Sequence, residues 1–308
     1  MLLLQKKIFF LLAIFILNFL IGRRPRVSLI FIYGIMNKKT FPYKAIFSDM
    51  DLTLLHSNGK MSEFGAHVLN LALQDGIKVC LVSARHPQGI EPFFSYFTQR
   101  LPYVGYNGAL AVDEKGNIIH NYTIPIEQAR YILQVAKESG IPGAMMMYTP
   151  EHWFVEDIKN QYVQREIEYM GHEPEAVNLE EVLNSGLEPN KFLFFSDPEY
   201  SREVENVFIS SSQGLHICRS SCWSVDIMPC GINKSVGVEA MLTHFGLSAE
   251  EAIAFGDSPN DIEMLKSVGL GVAMGNASSE VKEAAAVSIS SNDEDGVGHF
   301  LIDYMDYH

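Results

Sequence analysis

Two carboxylates with a spacing that suits metal-assisted or acid–base chemistry follow the first strong strand pattern of the chain. Asp49-Met50-Asp51-Leu52-Thr53 comes directly after the apolar run Ala45-Ile46-Phe47. Side chains two residues apart beyond a strand end can converge on one divalent ion, or can act as nucleophile and as acid or base. A solvated turn in which Thr53 caps a helix is the alternative, and this motif alone leaves both interpretations open.

A hydroxyl group follows the next predicted strand. Residues 78–82 form a second largely apolar run, and Ser83-Ala84-Arg85 comes directly after it. A serine at the mouth of a sheet, followed by backbone N–H groups that open a helix, suits a phosphate oxygen. A plain helix cap is the alternative interpretation of Ser83.

Two more carboxylates follow a predicted strand at residues 252–255. They belong to Gly256-Asp257-Ser258-Pro259-Asn260-Asp261, where Pro259 marks the start of a helix. Asp261 in the first turn would complement the helix dipole, but that role does not explain Asp257. Carboxylate oxygens from both strand ends can together complete a shell for Mg²⁺ that leaves room for water and a substrate oxygen.

Lys234 stands where a cation is locally unfavourable. Asn233 predicts the cap of a helix, and Lys234 then lies in its first turn, facing the positive end of the helix dipole. A disfavoured cation in a chain with several candidate carboxylates is a candidate functional residue, although a surface lysine is the alternative.

Strands that alternate with helices must position these groups. Besides the strands above, helices are predicted after Ser62, after Asn233, at residues 259–268 and from Ser278, and a strand at residues 270–274. This order predicts an α/β fold with a largely parallel sheet covered on both faces. Residues 113–217 mix strands (145–148, 153–155, 192–195) with helices (127–139, 157–170), which predicts an inserted α+β domain between core segments 40–112 and 218–308.

Composition restricts the partners. The 308 residues carry a formal charge of −14, and the pI of about 5.1 argues against a nucleic-acid partner, which needs a surplus of Lys and Arg. An acidic protein that handles anions must concentrate positive charge locally, through a metal, a lysine or helix N-termini. Four cysteines are too few for a disulfide framework, and the spacing of Cys218, Cys222 and Cys230 does not suit zinc, so reduced thiols and a cytoplasmic location are expected.

Residues 1–36 differ from the rest of the chain. They contain five basic residues and no acidic one, and residues 8–21 are apolar except for Asn18. Three interpretations stay open: a mis-assigned start, with translation beginning at Met36; a membrane anchor through residues 8–21; and a cleaved signal peptide. A membrane partner is expected only if this segment is genuine.

The motifs in this order resemble the haloacid-dehalogenase (HAD) phosphohydrolase superfamily. Asp-x-Asp-x-Thr, the serine after the second strand, Lys234 at a helix start and Gly-Asp-x-x-Asn-Asp together carry the resemblance. Tyr106-Asn107-Gly108-Ala109, residues 226–234 and residues 273–277 are similar to the Cof-type (IIB) branch. The resemblance covers about residues 44–305 and implies a Rossmann-like parallel-sheet core with an inserted α+β cap.

The resemblance also implies a mechanism and a set of site residues. Asp49 would be the nucleophile that forms an aspartyl-phosphate, and Asp51 would protonate the leaving oxygen and later activate water. Mg²⁺ would be held by Asp49, Asp51 (through its backbone carbonyl) and Asp257, with Asp261 supporting that shell. Phosphoryl oxygens and substrate would be bound by Ser83, Ala84, Arg85, Lys234 and Asn260.

The sequence departs from the family pattern at two places. Leu52 stands where the family usually has Gly, and it would narrow the site or reshape the leaving-group pocket; Ser83-Ala84-Arg85 replaces Thr-Gly-Arg but keeps the hydroxyl.

The expected function is a Mg²⁺-dependent phosphatase of small phosphorylated metabolites, with sugar phosphates as the expected class. A phosphomutase and a non-catalytic metabolite sensor are the alternatives. The candidate cap residues facing the substrate are His152, Trp153, Arg165 and Arg219.

Overall fold

The computed structural model describes residues 42–211, 214–219 and 221–305. Residues 1–36 and their three interpretations lie outside this part of the chain. Across the described residues, no helix combines the length and the apolar character that crossing a membrane requires.

The described residues alternate strands and helices over most of their length. The strands are β1 (Ala45–Asp49), β2 (Lys78–Val82), β3 (Tyr103–Gly105), β4 (Leu110–Val112), β5 (Ile118–Asn121), β6 (Gly143–Tyr148), β7 (Trp153–Val155), β8 (Glu175–Ala176), β9 (Lys191–Ser196), β10 (Leu215–Arg219), β11 (Ser224–Pro229), β12 (Ala252–Gly256), β13 (Leu270–Ala273) and β14 (Val287–Ser288). The α-helices are α1 (Glu63–Gln74), α2 (Pro87–Ile90), α3 (Ile126–Ser139), α4 (Gln161–Met170), α5 (Leu179–Asn184), α6 (Ser201–Ser211), α7 (Lys234–Phe245), α8 (Ile262–Lys266), α9 (Ser279–Ala284) and α10 (Gly296–Met305).

The first sheet, called the core sheet here, has the order β14-β13-β12-β1-β2-β3-β4-β5. Its strands are parallel from β14 to β3, and β4 and β5 continue it as antiparallel neighbours. The chain winds outward from β1 to β2 and β3 on one side, and from β12 to β13 and β14 on the other. The strand order therefore reverses between β1 and β12, and open parallel sheets bind ligands at the carboxyl ends beside such a reversal.

Helices cover both faces of the core sheet because β1 is apolar on both. Ile46 belongs to a core with Leu69 of α1 and Leu301 of α10, while its neighbour Phe47 packs with Met241 of α7. Alternate strand residues point to opposite faces, so successive apolar residues require cover on both sides. The predicted α/β fold with a largely parallel sheet is confirmed.

The second sheet has the order β10-β11-β9-β6-β7-β8, and all of its neighbours are antiparallel except β7 and β8. With α3, α4, α5 and α6 it forms what we call the inserted unit, residues 122–229. One face of this sheet, including Phe192 and Phe194 of β9, packs in a separate core with Ile132, Leu183 and Phe208 of its helices. The opposite face is turned toward the core sheet.

Strand pairing moves both boundaries of the expected insertion. β5 lies within the expected range 113–217 but pairs with β4 in the core sheet. β10 crosses residue 218 and β11 lies beyond it, yet both pair in the second sheet. The ranges 40–112, 113–217 and 218–308 are therefore corrected to an inserted unit that begins after β5 and ends with β11. Local sequence does not distinguish the sheets, because any apolar alternation can pair with either one.

Most expected elements lie where the pattern placed them, with a few changed ends. Ser62 caps α1, its Oγ accepting the N–H of Gly65 at 2.8 Å. The helix expected at residues 157–170 begins only at Gln161, because Asn160 caps it. The helix expected at residues 259–268 is a 3₁₀ turn (Pro259–Asp261) followed by the short α8.

Candidate active site

Asp49 is the last residue of β1 and is buried, with 5% of its surface exposed. The next residues, Met50–Leu54, form one π-helical turn, and Leu52 within it adopts the left-handed conformation with φ of 59°. This turn brings the Thr53 side chain across to β12, where its hydroxyl donates a hydrogen bond to Asp257 Oδ1 at 2.8 Å. Thr53 therefore joins the ends of β1 and β12 rather than capping a helix.

Three carboxylates meet at this edge of the core sheet. Asp49, Asp257 and Asp261 are all buried, and each offers one oxygen so that these atoms lie within 4.8 Å of one another. The donors are all carboxylate oxygens, which are the ligands that a hard cation such as Mg²⁺ prefers. The residues present therefore fit a magnesium site.

Lys234 supplies the cation of this cluster. Its Nζ donates to Asp49 Oδ1 at 2.5 Å and to Asp261 Oδ1 at 2.6 Å, and the side chain is 1% exposed. A surface lysine is thereby excluded. Asn233 caps α7 as predicted, with its side chain accepting the N–H of Ser235 at 2.9 Å.

Asp261 is held by the protein on both of its oxygens. Oδ1 takes the Lys234 ammonium, and Oδ2 accepts the backbone N–H groups of Asp257 at 3.0 Å and Ser258 at 2.9 Å. This arrangement fixes the turn after β12 and the direction of the lysine. The ammonium and the two backbone contacts favour a supporting position for Asp261. Asp257 also accepts on both oxygens, but only from hydroxyl groups, of Thr53 at 2.8 Å and Ser258 at 2.9 Å. Direct metal ligation therefore fits Asp49 and Asp257 better.

Burial and the neighbouring charges shift the pKa values of the cluster residues. Burial raises the pKa of Asp49, and Asp261 adds to this effect, while Lys234 opposes it. Burial also raises the pKa of Asp257, against the hydrogen bond from Thr53. Burial alone would lower the pKa of Lys234, but the neighbouring carboxylates outweigh it and raise that pKa. Three carboxylates against one ammonium therefore favour an additional cation.

Asp51 lies on the cavity side of the turn and is bound by Arg85. Arg85 Nε donates to Asp51 Oδ2 at 2.9 Å and Nη2 to Oδ1 at 2.6 Å, while Nη1 donates to the Gly89 carbonyl at 3.0 Å. Its guanidinium thus makes a two-point contact with the expected acid–base residue. Arg85 also lines the cavity, and its contact with substrate stays a prediction.

The other predicted ligand-binding residues surround this centre. Ser83 is fully buried, and its Oγ accepts the N–H of Arg85 at 3.1 Å; it does not cap a helix, because α2 begins only at Pro87 and His86 occupies its N-cap position. Ala84 lines the cavity beside it. Asn260 is exposed and donates to Asn107 Oδ1 at 2.9 Å, so its amide is engaged with the turn after β3.

A cavity of about 510 Å³ separates the core sheet from the inserted unit, a volume typical of small-molecule sites. The core contributes Asp51, Ala84, Arg85, His86 and Tyr106; the inserted unit contributes Tyr148, Arg165, Glu166, Met170, Lys191, Leu193, Phe195, Ser221, Trp223, Ser224 and Asp226.

Of the four expected cap residues, only Arg165 lines this cavity. Trp153 is buried and does not line the cavity; its ring stacks on that of Tyr148, with ring centroids 5.8 Å apart. His152 pairs with Glu175 and Arg219 with Glu205, both outside the cavity. Leu52 is not among the described lining residues either, and the residue is 45% exposed; its effect on the leaving-group pocket stays a prediction.

Sequence reasoning missed His86, Glu166 and Lys191 as cavity residues. The alternation of Lys191, Leu193 and Phe195 along one strand was an available signal for a shared face. Glu166 had no such signal, because the direction of its helix relative to the core is a tertiary property.

Comparison with known proteins agrees with this site. The family model for haloacid dehalogenase-like hydrolases matches residues 46–301. A Haemophilus influenzae protein is 33% identical over 261 residues, which cover 84% of this chain and 97% of that protein. The 5-amino-6-(5-phospho-D-ribitylamino)uracil phosphatase of Bacillus subtilis is 26% identical, over 87% of this chain and 99% of its own length.

Solved structures show the same fold. A haloacid dehalogenase-like hydrolase from Bacteroides thetaiotaomicron has a TM-score of 0.77 at 28% identity, covering 85% of this chain and 99% of that one. A sugar phosphatase of HAD subclass IIB has a TM-score of 0.70 at 26% identity, covering 85% and 98%. The chain therefore belongs to the haloacid dehalogenase-like hydrolase family and is a Cof-type phosphohydrolase of that family.

Proposed function

We propose that this protein is a Mg²⁺-dependent phosphatase that hydrolyses small phosphorylated metabolites through an aspartyl-phosphate on Asp49. The observation that carries the proposal is the buried cluster at the ends of β1 and β12, where Asp49 contacts Lys234 and lies beside Asp257 and Asp261. Lys234 places a buried cation there in an otherwise acidic chain, which supports binding of a phosphate dianion.

The chain's own residues divide the reaction. An oxygen of the Asp49 carboxylate attacks phosphorus, the bond from phosphorus to the leaving oxygen breaks, and Asp51 gives that oxygen its proton. Asp51, now a base, takes a proton from water, which attacks the phosphoryl group, releases inorganic phosphate and restores Asp49. Lys234 and Ser83 would bind the phosphoryl oxygens during both transfers. Mg²⁺, held by Asp49, Asp257 and the backbone carbonyl of Asp51, would neutralise phosphate charge and support in-line attack.

The inserted unit is proposed to act as a cap that sets specificity. It supplies eleven of the sixteen described residues that line the cavity. Sugar phosphates are the proposed substrates; one structural relative is named a sugar phosphatase. A cytoplasmic location is also proposed, on the low cysteine content, and fractionation of the native host tests it.

Phosphate release from a panel of sugar phosphates, pyridoxal phosphate and nucleotides tests the function, with Mg²⁺ and with EDTA. We expect Asp49→Asn to lower kcat by at least about a thousandfold, because the amide cannot attack phosphorus. Asp303→Asn, at an exposed site on α10, is the matched control. Undiminished phosphate release by Asp49→Asn would refute the nucleophile assignment, and isomerised phosphate without free phosphate would indicate a mutase.

A further inference from the structure

The cavity above the proposed phosphoryl site contains one acidic side chain that makes no hydrogen bond or ion pair within the described part of the chain. We propose that this residue, Glu166, binds an amino group on the leaving group, so that amino-bearing phosphate monoesters are the preferred substrates. The inference rests on the proposed phosphatase function and specifies the substrate class that the same site would select.

One face of the second sheet forms the roof of the cavity. Register pairs Tyr148 with Lys191, and Leu193 with Asp226, and all four side chains line the cavity. Glu166 reaches the same space from α4. The roof is therefore a rigid sheet face with apolar and aromatic surface around a few charged groups, which is the usual make-up of a small-molecule site.

Most charges in the cavity have a partner of opposite sign. Lys191 Nζ lies 2.8 Å from Asp226 Oδ2, and that carboxylate is 1% exposed. On the core side, Arg85 binds Asp51 through two nitrogens. Each pair cancels its own charge and leaves little for a ligand to satisfy.

The remaining cations do not compensate Glu166. The Arg165 guanidinium lies 4.4 Å from the ring centroid of Trp223 and 3.6 Å from an oxygen of Asp197. His86 is uncharged near neutral pH, because burial lowers its pKa to about 3, with further lowering by His172 and Lys191.

Glu166 itself makes no hydrogen bond or ion pair with any residue in the described part of the chain. Burial raises its pKa, while Lys191 opposes the shift and Asp226 adds to it. A partly buried carboxylate without a donor is unfavourable, and an ammonium or amino group brings N–H donors that form a charge-assisted hydrogen bond with it.

A buried polar atom without a partner lines the same cavity. His86 is 6% exposed, and its Nε2 atom is buried without a hydrogen-bond partner among the described residues. A neutral imidazole offers one donor and one acceptor nitrogen, so Nε2 can bind a polar substituent of the leaving group. A buried imidazole nitrogen and a partly buried carboxylate, neither with a hydrogen-bond partner among the described residues, indicate a polar ligand rather than an apolar one.

Two esters that differ in one group provide the test: glucosamine 6-phosphate and glucose 6-phosphate. We expect wild-type kcat/KM to favour the amino sugar by about tenfold, and Glu166→Gln to lower this ratio toward one. Glu168→Gln, at an exposed position on the same helix, should keep the wild-type ratio. p-Nitrophenyl phosphate, which lacks the amine, is the reference ester: Glu168→Gln should hydrolyse it at the wild-type rate, and the readout for Glu166→Gln is the ratio between the two sugar phosphates within that one protein.

The results separate the two proposals. Hydrolysis of p-nitrophenyl phosphate with equal kcat/KM for both sugars would overturn the amino-group inference and leave the phosphatase function intact. If no ester is hydrolysed, the phosphatase function fails, and calorimetric binding of the two sugar phosphates to the wild type and to Glu166→Gln still decides the inference. A preference for the amino sugar that Glu166→Gln removes supports it; equal affinities, or a preference that survives in Glu166→Gln, overturn it.

Discussion

Lys234 holds together a cluster of like charges that would otherwise repel. Its ammonium is buried between Asp49 and Asp261, at 2.5 and 2.6 Å. Removing one partner of a buried charge network leaves the others without compensation, which is far more costly than breaking a surface pair.

Lys234→Met should therefore lower the free energy of unfolding by about 3–5 kcal/mol in EDTA. Mg²⁺ should restore part of that loss, because a divalent ion can neutralise the same carboxylates. Urea unfolding with and without Mg²⁺ measures both effects. Lys266→Met, which breaks an exposed pair with Glu263, should cost less than about 1 kcal/mol. A loss of the same size with and without Mg²⁺ would argue against the metal site.

Arg85 is expected to act through Asp51. Its two-point contact sets the direction of the carboxylate that is proposed to protonate the leaving group. Lysine cannot reproduce two parallel N–H donors, so Arg85→Lys should lower kcat about tenfold for an alkyl phosphate. The loss should be smaller for p-nitrophenyl phosphate, whose leaving group departs without a proton.

Steady-state rates on the two esters check this prediction. Arg100→Lys, in an exposed pair with Glu91, serves as the control and should not change either rate. Equal losses on both esters would show that Arg85 acts on binding or folding rather than on protonation.

At the scale of elements, the turn Tyr106–Gly108 seats the helix that carries Lys234. Gly108 has φ of 106°, and a Cβ there would overlap the carbonyl oxygen of Asn233. Asn107 in the same turn donates its N–H to the Ser83 carbonyl at 3.0 Å. The turn therefore ties together the end of β2 and the start of α7.

Gly108→Ala should displace the start of α7 and lower both stability and activity. We expect a loss of more than about 2 kcal/mol in urea unfolding, because overlap adds to the strain of a positive φ. Gly59→Ala is the matched control: φ there is 75°, but nothing lies within 4 Å of the added Cβ. It should cost only about 1–2 kcal/mol and leave kcat unchanged. Equal losses in both variants would show that close packing at α7 is unimportant.

For the whole molecule, both polar and apolar contacts join the core to the inserted unit near the cavity, and His86 of the core packs against the rings of Tyr148 and Trp153. Tyr106 Oη donates to the Thr149 carbonyl at 2.8 Å, and the Gln88 side chain contacts both His172 and the Glu151 carbonyl. We expect the inserted unit to open for substrate and to close to exclude water, with the hydrogen bonds stabilising the closed arrangement.

Solution scattering tests this motion. The radius of gyration should fall when a phosphorylated ligand and Mg²⁺ are added, and Tyr106→Phe, which lacks the Thr149 contact, should be more expanded without ligand. Tyr122→Phe, at an exposed tyrosine on the surface, is the control. The same radius of gyration for the wild type without ligand, the wild type with ligand and Mg²⁺, and both variants without ligand would contradict a moving cap.

Local sequence determined much of this protein. The apolar runs of β1, β2 and β12, the caps Ser62 and Asn233, and the carboxylates just beyond the strands are all properties of short segments, and the predicted α/β fold and HAD-type phosphohydrolase are confirmed. The roles of individual site residues remain predictions.

Tertiary structure decided the rest, because it depends on residues distant in the chain. Asp49 and Lys234 are 185 positions apart, and no local pattern encodes their contact. The same holds for the pairing of β5, β10 and β11, for the binding of Arg85 to Asp51, and for the face of the second sheet that meets the cavity. Sheet register and buried ion pairs are chosen by packing of the whole chain, so Glu166 became a candidate only in the folded molecule.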